Sequence, residues 1–135
     1  MDPRYLLDTN ICIYIRRNHP PGVLRRFQSL RPGEAVLSVI TFGELLYGAA
    51  KSSQRAAVFE QLAELAGVLP VLPLPVTAAE SYGAIRADLE RKGQMIGNND
   101  LWIAAHASAA MLILVTNNQR EFRRVRGLKI QNWAS

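Results

Sequence analysis

Asp8, Glu44 and Asp100 are the side chains whose types and places in this 135-residue chain point to chemistry. Asp8 ends the short apolar run Arg4-Tyr5-Leu6-Leu7. Glu44 follows a second apolar run, Ala35-Val36-Leu37-Ser38, in the first turn of a helix expected over Thr41 to Ala50. Asp100 opens a helix expected to reach Ala110, just before the run Met111 to Val115. Carboxylates gathered in one place repel, by about 4 kcal/mol per pair at 4 Å and an effective dielectric near 20. A divalent cation reverses that sign. Hard oxygen ligands without a His or Cys partner favour Mg²⁺, or Mn²⁺ as a substitute, over zinc. Such an ion activates water and neutralises charge on a phosphate. Each acid also has a simpler explanation. Asp8 is a good N-cap, Thr41-Phe42-Gly43-Glu44 has the spacing of a capping box, and Asp100 suits the positive end of a helix dipole. Three acids that each follow a strand in an alternating chain favour a common site over three separate caps.

The elements that must position these acids alternate. Strands are expected at Arg4 to Leu7, Ala35 to Ser38, Met111 to Val115 and Leu128 to Ile130. Val68 to Leu74 is apolar but carries Pro70 and Pro73, which confines it to a short or edge strand. Helices are expected at Ile11 to Ile15, Val23 to Leu30, Gln54 to Gly67, Thr77 to Lys92 and Asn118 to Arg124. Thr77 and Glu80 have capping-box spacing, and Gly93 is a natural stop. Ile96 to Asn99 reads as a turn. The expected architecture is α/β: a three-layer α/β/α sandwich around a mainly parallel sheet, in one domain over residues 1–135. Open sheets of this kind bind ligands beyond the carboxyl ends of their strands, which is where all three acids fall.

The net charge of +5 comes from 16 basic and 11 acidic residues. The basic groups cluster at Arg16-Arg17, Arg25-Arg26 and Arg120, Arg123, Arg124 and Arg126. Such clusters gain affinity for polyphosphates by counterion release. With one cysteine, Cys12, no internal disulfide forms. No apolar run approaches the roughly 20 residues that span a bilayer, and the start of the chain lacks the features of a signal peptide. A soluble cytoplasmic protein is the expectation.

The local sequences add a resemblance. Leu6-Leu7-Asp8-Thr9-Asn10 is similar to the opening of PIN-domain nucleases, and the chain resembles the VapC-type toxins of bacterial toxin–antitoxin pairs. Ser38 to Leu45 followed by Tyr47-Gly48 matches their second acidic motif. Ile96-Gly97-Asn98-Asn99-Asp100 with Ile103 to Ala107 matches the third. Val115-Thr116-Asn117-Asn118 with Arg120-Glu121-Phe122, and then Asn132-Trp133, matches the C-terminal signature. The resemblance implies a PIN fold, Mg²⁺-dependent endoribonuclease activity on a tRNA or rRNA loop, and arrest of translation. A VapB-type antitoxin and toxin homodimers within the complex are implied with it. Carried over by position, Asp8, Glu44 and Asp100 are metal-binding acids. Thr9, Asn10 and Thr116 are expected to bond the acids or a phosphate, and Arg120 to bind substrate. The fourth acidic position of many PIN nucleases falls on Asn118, whose amide can orient water but brings no charge. One firmly held metal is therefore expected, with Glu121 read as a surface group or a partner of a neighbouring arginine.

Other reactive types are discounted. His19 lies in an expected turn beside Pro20-Pro21, and His106 is six residues past Asp100, about 120° away around the helix. Both are read as surface or packing residues. Cys12, Trp102 and Trp133 are read as packing groups. Two alternatives stay open: a phosphoryl-transfer enzyme using Asp8 as nucleophile, and a degenerate PIN domain that binds RNA or protein without cutting.

Overall fold

The strand order follows from how the apolar runs are covered. In the computed structural model, which describes residues 2–134, β1 (Tyr5–Leu7) pairs in parallel with β2 (Ala35–Ser38) on one side and β4 (Ile113–Val115) on the other. β3 (Val71–Leu72) extends the sheet beyond β2, and β5 (Ile130–Gln131) extends it beyond β4. The order is β3-β2-β1-β4-β5, and every pairing is parallel. β1 and β2 are buried along their whole length, as expected for strands with both faces covered.

Successive residues of these strands point into two different cores. Tyr5, Leu7, Ala35, Leu37 and Val115 pack with α1 (Thr9–Arg17), α2 (Pro21–Gln28), α3 (Val39–Ala50) and α4 (Arg55–Val68). Leu6, Val36 and Leu114 pack with α5 (Ala78–Lys92), α6 (Asn98–Ala110) and Phe122 of α7 (Gln119–Phe122). This is the expected three-layer arrangement. Leu114 is fully buried in the second core, so Leu114→Ala should cost about 2–5 kcal/mol through lost transfer energy and the cavity left behind. Urea denaturation of the two proteins measures that difference.

Several expected boundaries move for identifiable reasons. α3 starts at Val39, because the buried Ser38 side chain accepts from the Ile40 amide at 3.1 Å and caps the helix. Thr41 is therefore inside the helix and forms no capping box; Glu44 lies in the second turn. At α5 the Thr77 side chain makes no capping bond. The carbonyls of Pro75 and Val76 take the Ala78 and Ala79 amides instead, at 2.9 and 3.0 Å. Gly93 ends α5 as expected, with φ of 64°. Its amide and that of Gln94 reach back to Glu90 and Leu89, at 3.1 and 2.9 Å. β3 is held to two residues between Pro70 and Pro73 at the sheet edge. β4 is shorter than expected because Met111, at φ of 56°, caps α6 rather than joining the strand.

Candidate active site

β1 is the point where the sheet order reverses: the chain winds outward through β2 and β3 on one side, then returns to add β4 and β5 on the other. The crevice at such a switch point opens beyond the strand ends, and Asp8 follows β1 directly. Its backbone amide donates to the Val115 carbonyl at 3.0 Å, tying the ends of β1 and β4 together. The side chain does two things. One oxygen caps α1 by accepting from the Ile11 amide at 3.2 Å. The other accepts from the Thr116 hydroxyl. Capping and site membership are thus not alternatives for this residue. Burial pushes the Asp8 carboxyl up from the usual range, helped by the charge of Glu44 and opposed by the bonds from Thr116, Ile11 and Asn10.

Asp100 is the third residue of α6, half-buried and above Gly97, where an added Cβ would sit 3.7 Å from its carboxylate. Its pKa is raised to about 6, first by burial and then by the charges of Glu121, Glu44 and Asp8. That shift carries a geometric message: carboxylates from α3, α7 and the end of β1 lie near enough to Asp100 to act on it.

The other side chains hold these acids in place. Thr9 donates to Glu44 at 2.9 Å. Thr116, fully buried, donates to Asp8 and accepts from the Asn118 amide at 2.9 Å. Thr116→Val keeps the shape but orphans the Asn118 amide and removes a donor from a buried carboxylate. A loss of about 1–3 kcal/mol is expected, read from urea unfolding. Asn10 is exposed beside Asp8, and Arg120 is exposed on α7 with no hydrogen bond or ion pair among the described residues. Asn118, at the fourth acidic position, is partly buried. Its side chain donates to Glu121 at 3.1 Å.

Glu121 is the residue that sequence reasoning misplaced. It is part of the acidic cluster rather than a surface group or an arginine partner, and it is the largest charge contribution to the raised Asp100 pKa. The signal was the Asn118–Glu121 spacing, since residues three apart share a helix face. Glu44 also opens onto two grooves. One runs past Val39, Tyr47 and Asn99, and the other past Ile13, Arg16, Arg17 and Lys51. The acids do not form a closed cage: among the described residues no three His, Cys, Asp or Glu side chains are grouped tightly enough to grip an ion. The discounted residues fall outside the cluster. His106 is buried in α6, and its Nδ1 has no hydrogen-bond partner among the described residues. Cys12 is a core residue. Trp133 packs edge-on against Tyr5, and Trp102 stacks on Tyr82.

A parallel sheet with acids converging at its switch point agrees with what comparison finds. The PIN domain family matches residues 5–128, and the chain belongs to that family. The likeness extends to VapC ribonucleases at nearly full length. Ribonuclease VapC2 of Haemophilus influenzae is 42% identical over 130 residues, covering 96% of this chain and 98% of the relative. The tRNA(fMet)-specific endonuclease VapC of Shigella flexneri is 41% identical over 131 residues, covering 97% and 98%. In three dimensions, the crystal structure of DNA-bound VapBC from Salmonella typhimurium superposes with a TM-score of 0.91 at 39% identity, covering 97% and 98%. Membership in the PIN family sets aside the alternative of an aspartyl phosphoryl-transfer enzyme. No helix among the described residues is long and apolar enough to cross a membrane.

Proposed function

We propose that this chain is the ribonuclease toxin of a VapBC-type pair: a Mg²⁺-dependent endoribonuclease held in check by a VapB-type antitoxin. The observation that carries the reading is the half-buried Asp100, whose pKa is raised to about 6 by burial first and then by the charges of Glu121, Glu44 and Asp8 beside it. A cluster that raises its own ionisation cost is relieved by a cation, and its donors are all hard oxygens. Magnesium keeps several waters and is usually held by one or two carboxylates, so an open cluster without a three-ligand cage fits it. Asp8 and Asp100 would hold the ion. When bound, it supplies positive charge for the scissile phosphate and lowers the pKa of water.

The chain's own residues do the rest. Thr116 and the amides of α1 fix the Asp8 carboxylate. Thr9 fixes Glu44, whose carboxylate would orient the attacking water and accept its proton. Asn118 steers Glu121 toward the cluster. Asn10 and Arg120 are exposed at the rim to meet phosphate oxygens. Water attack on the phosphate leaves a 5′-phosphate and a 3′-hydroxyl.

Support for the partner comes from the VapBC complexes that this chain resembles; in that assembly the toxin would pair as a homodimer, and free toxin would arrest translation in the cytoplasm by cutting a tRNA or rRNA loop. The test uses the purified chain with end-labelled tRNA and rRNA fragments. Discrete internal cuts with Mg²⁺ or Mn²⁺, and none in EDTA, are expected. Retarded RNA without cleavage in either metal, or cleavage that persists in EDTA, would contradict the proposal.

A further inference from the structure

Beside the acids lies a row of amide side chains that the mechanism leaves unused. Asn117 sits between Thr116 and Asn118, both of which serve the acidic cluster. Its side chain donates to the Tyr14 hydroxyl oxygen at 3.1 Å. Asn132, just past β5, donates to Asn117 at 3.1 Å and to Gln119 at 3.4 Å. Its own oxygen accepts from the Ala134 backbone amide at 2.8 Å.

That last bond fixes the sense of the whole row, because a backbone N–H can only donate. Asn132 must turn its oxygen toward Ala134 and its NH₂ toward Asn117 and Gln119. Those two must answer with their oxygens, so their NH₂ groups face away from Asn132. One Asn117 proton goes to Tyr14, which leaves the Tyr14 hydroxyl proton free. The oxygens are thus engaged within the row, while donors remain: the second Asn117 proton, the Gln119 NH₂ and the Tyr14 hydroxyl. Asn117 is exposed and the others partly so. At the far end, the exposed Arg26 lies over the Trp133 ring, 5.6 Å from its centroid, and donates to Gln131 at 3.3 Å.

We infer that Tyr14, Asn117, Gln119 and Asn132 form a base-reading subsite next to the cleavage site, and that it selects a keto-bearing nucleobase. At purine position 6 and pyrimidine position 4, guanine and uracil present a carbonyl acceptor to a donor row, whereas adenine and cytosine carry there an amino donor that it repels. Unpaired RNA bases expose these edges. The inference rests on the ribonuclease reading above and adds what that reading leaves open, how sequence is chosen.

Single-turnover cleavage of short unpaired RNAs, varied one base at a time on either side of the cut, tests it. The wild-type chain should cut substrates with guanine or uracil at one flanking position about tenfold faster than those with adenine or cytosine. Asn132→Asp presents oxygen to Asn117 and Gln119, so their amides rotate and acceptors face outward. Its preference should invert toward adenine and cytosine, whatever the added charge does to the overall rate. Tyr14→Phe removes one donor and should shrink the preference several-fold without inverting it; it decides the matter if Asn132→Asp fails to fold by circular dichroism. Cleavage by the wild type without base preference, or a preference unmoved in these variants, overturns the subsite alone. No cleavage by the wild type at all overturns the ribonuclease reading and the subsite with it.

Discussion

Asp8→Asn should cut RNA on the order of a thousandfold more slowly than the wild type, the loss expected when several kcal/mol of charge stabilisation leave a reacting phosphate. The fold should survive. Asn is as good an N-cap as Asp, so its oxygen still takes the Ile11 amide. Its NH₂ can donate to Thr116, whose hydroxyl turns to suit. What disappears is the negative charge and one hard oxygen ligand. Asp8→Ala should lose as much activity and, in addition, about 1 kcal/mol of stability through the missing cap. The pair of variants therefore separates the two jobs of one side chain. Single-turnover cleavage and urea melts of both proteins measure it. Activity of Asp8→Asn within tenfold of wild type would remove Asp8 from the chemistry.

The second large effect is a dependence on pH that changes sign when metal is added. Asp100 titrates at about 6 in the folded chain and at about 3.9 when unfolded. The folded state thus binds its proton more tightly than the unfolded state. Stability that protonated Asp100 contributes is fully present below pH of about 4 and is lost as pH rises through 6. Asp8 is shifted in the same direction. Without metal, Asp100→Asn should therefore be the more stable protein at pH 7.5, and its advantage should fade as the pH falls to about 4. With Mg²⁺ at pH 7.5 the order should reverse, because the ion stabilises only the chain that can bind it, by about 4.1 kcal/mol at a thousandfold excess over its dissociation constant. At pH 5 the ion competes with a proton and its effect should shrink. Cleavage by the wild type should fall about tenfold per unit below pH 6. Thermal melts of both proteins at three pH values, with Mg²⁺ or EDTA, give the whole pattern. A wild-type chain that gains stability from pH 4 to 7.5 relative to Asp100→Asn, in EDTA, would contradict it.

The sequence made the sheet legible because strands buried on both faces are continuous apolar runs, and Pro70 and Pro73 marked the one that had to be an edge. Asp8 and Glu44 were legible because they follow closely on strands, where a parallel sheet opens, and Asp100 because it opens the helix that runs into β4. Helix starts were less so. Ser38 and Thr41 both have the chemistry of a cap, and only the buried end of β2 decides that Ser38 is the one used. Thr77 and Glu80 had the right spacing, yet a turn through Pro75 and Val76 supplied backbone acceptors first. Glu121 was hidden for a different reason. With arginines at 120, 123 and 124, a surface ion pair was the simpler reading, whereas Glu121 is half-buried and accepts from Asn118. The amide row escaped notice because Tyr14, Asn117 and Asn132 are far apart in sequence and meet only where α1, β4 and β5 end together.

The most direct test of the account is where a divalent ion binds. Crystals of the chain soaked in Mn²⁺ and measured at a wavelength where manganese scatters anomalously would locate it. A peak about 2 Å from carboxylate oxygens of both Asp8 and Asp100 is the predicted result. Manganese bound only elsewhere, or no ordered peak in protein that still cleaves RNA, would contradict it.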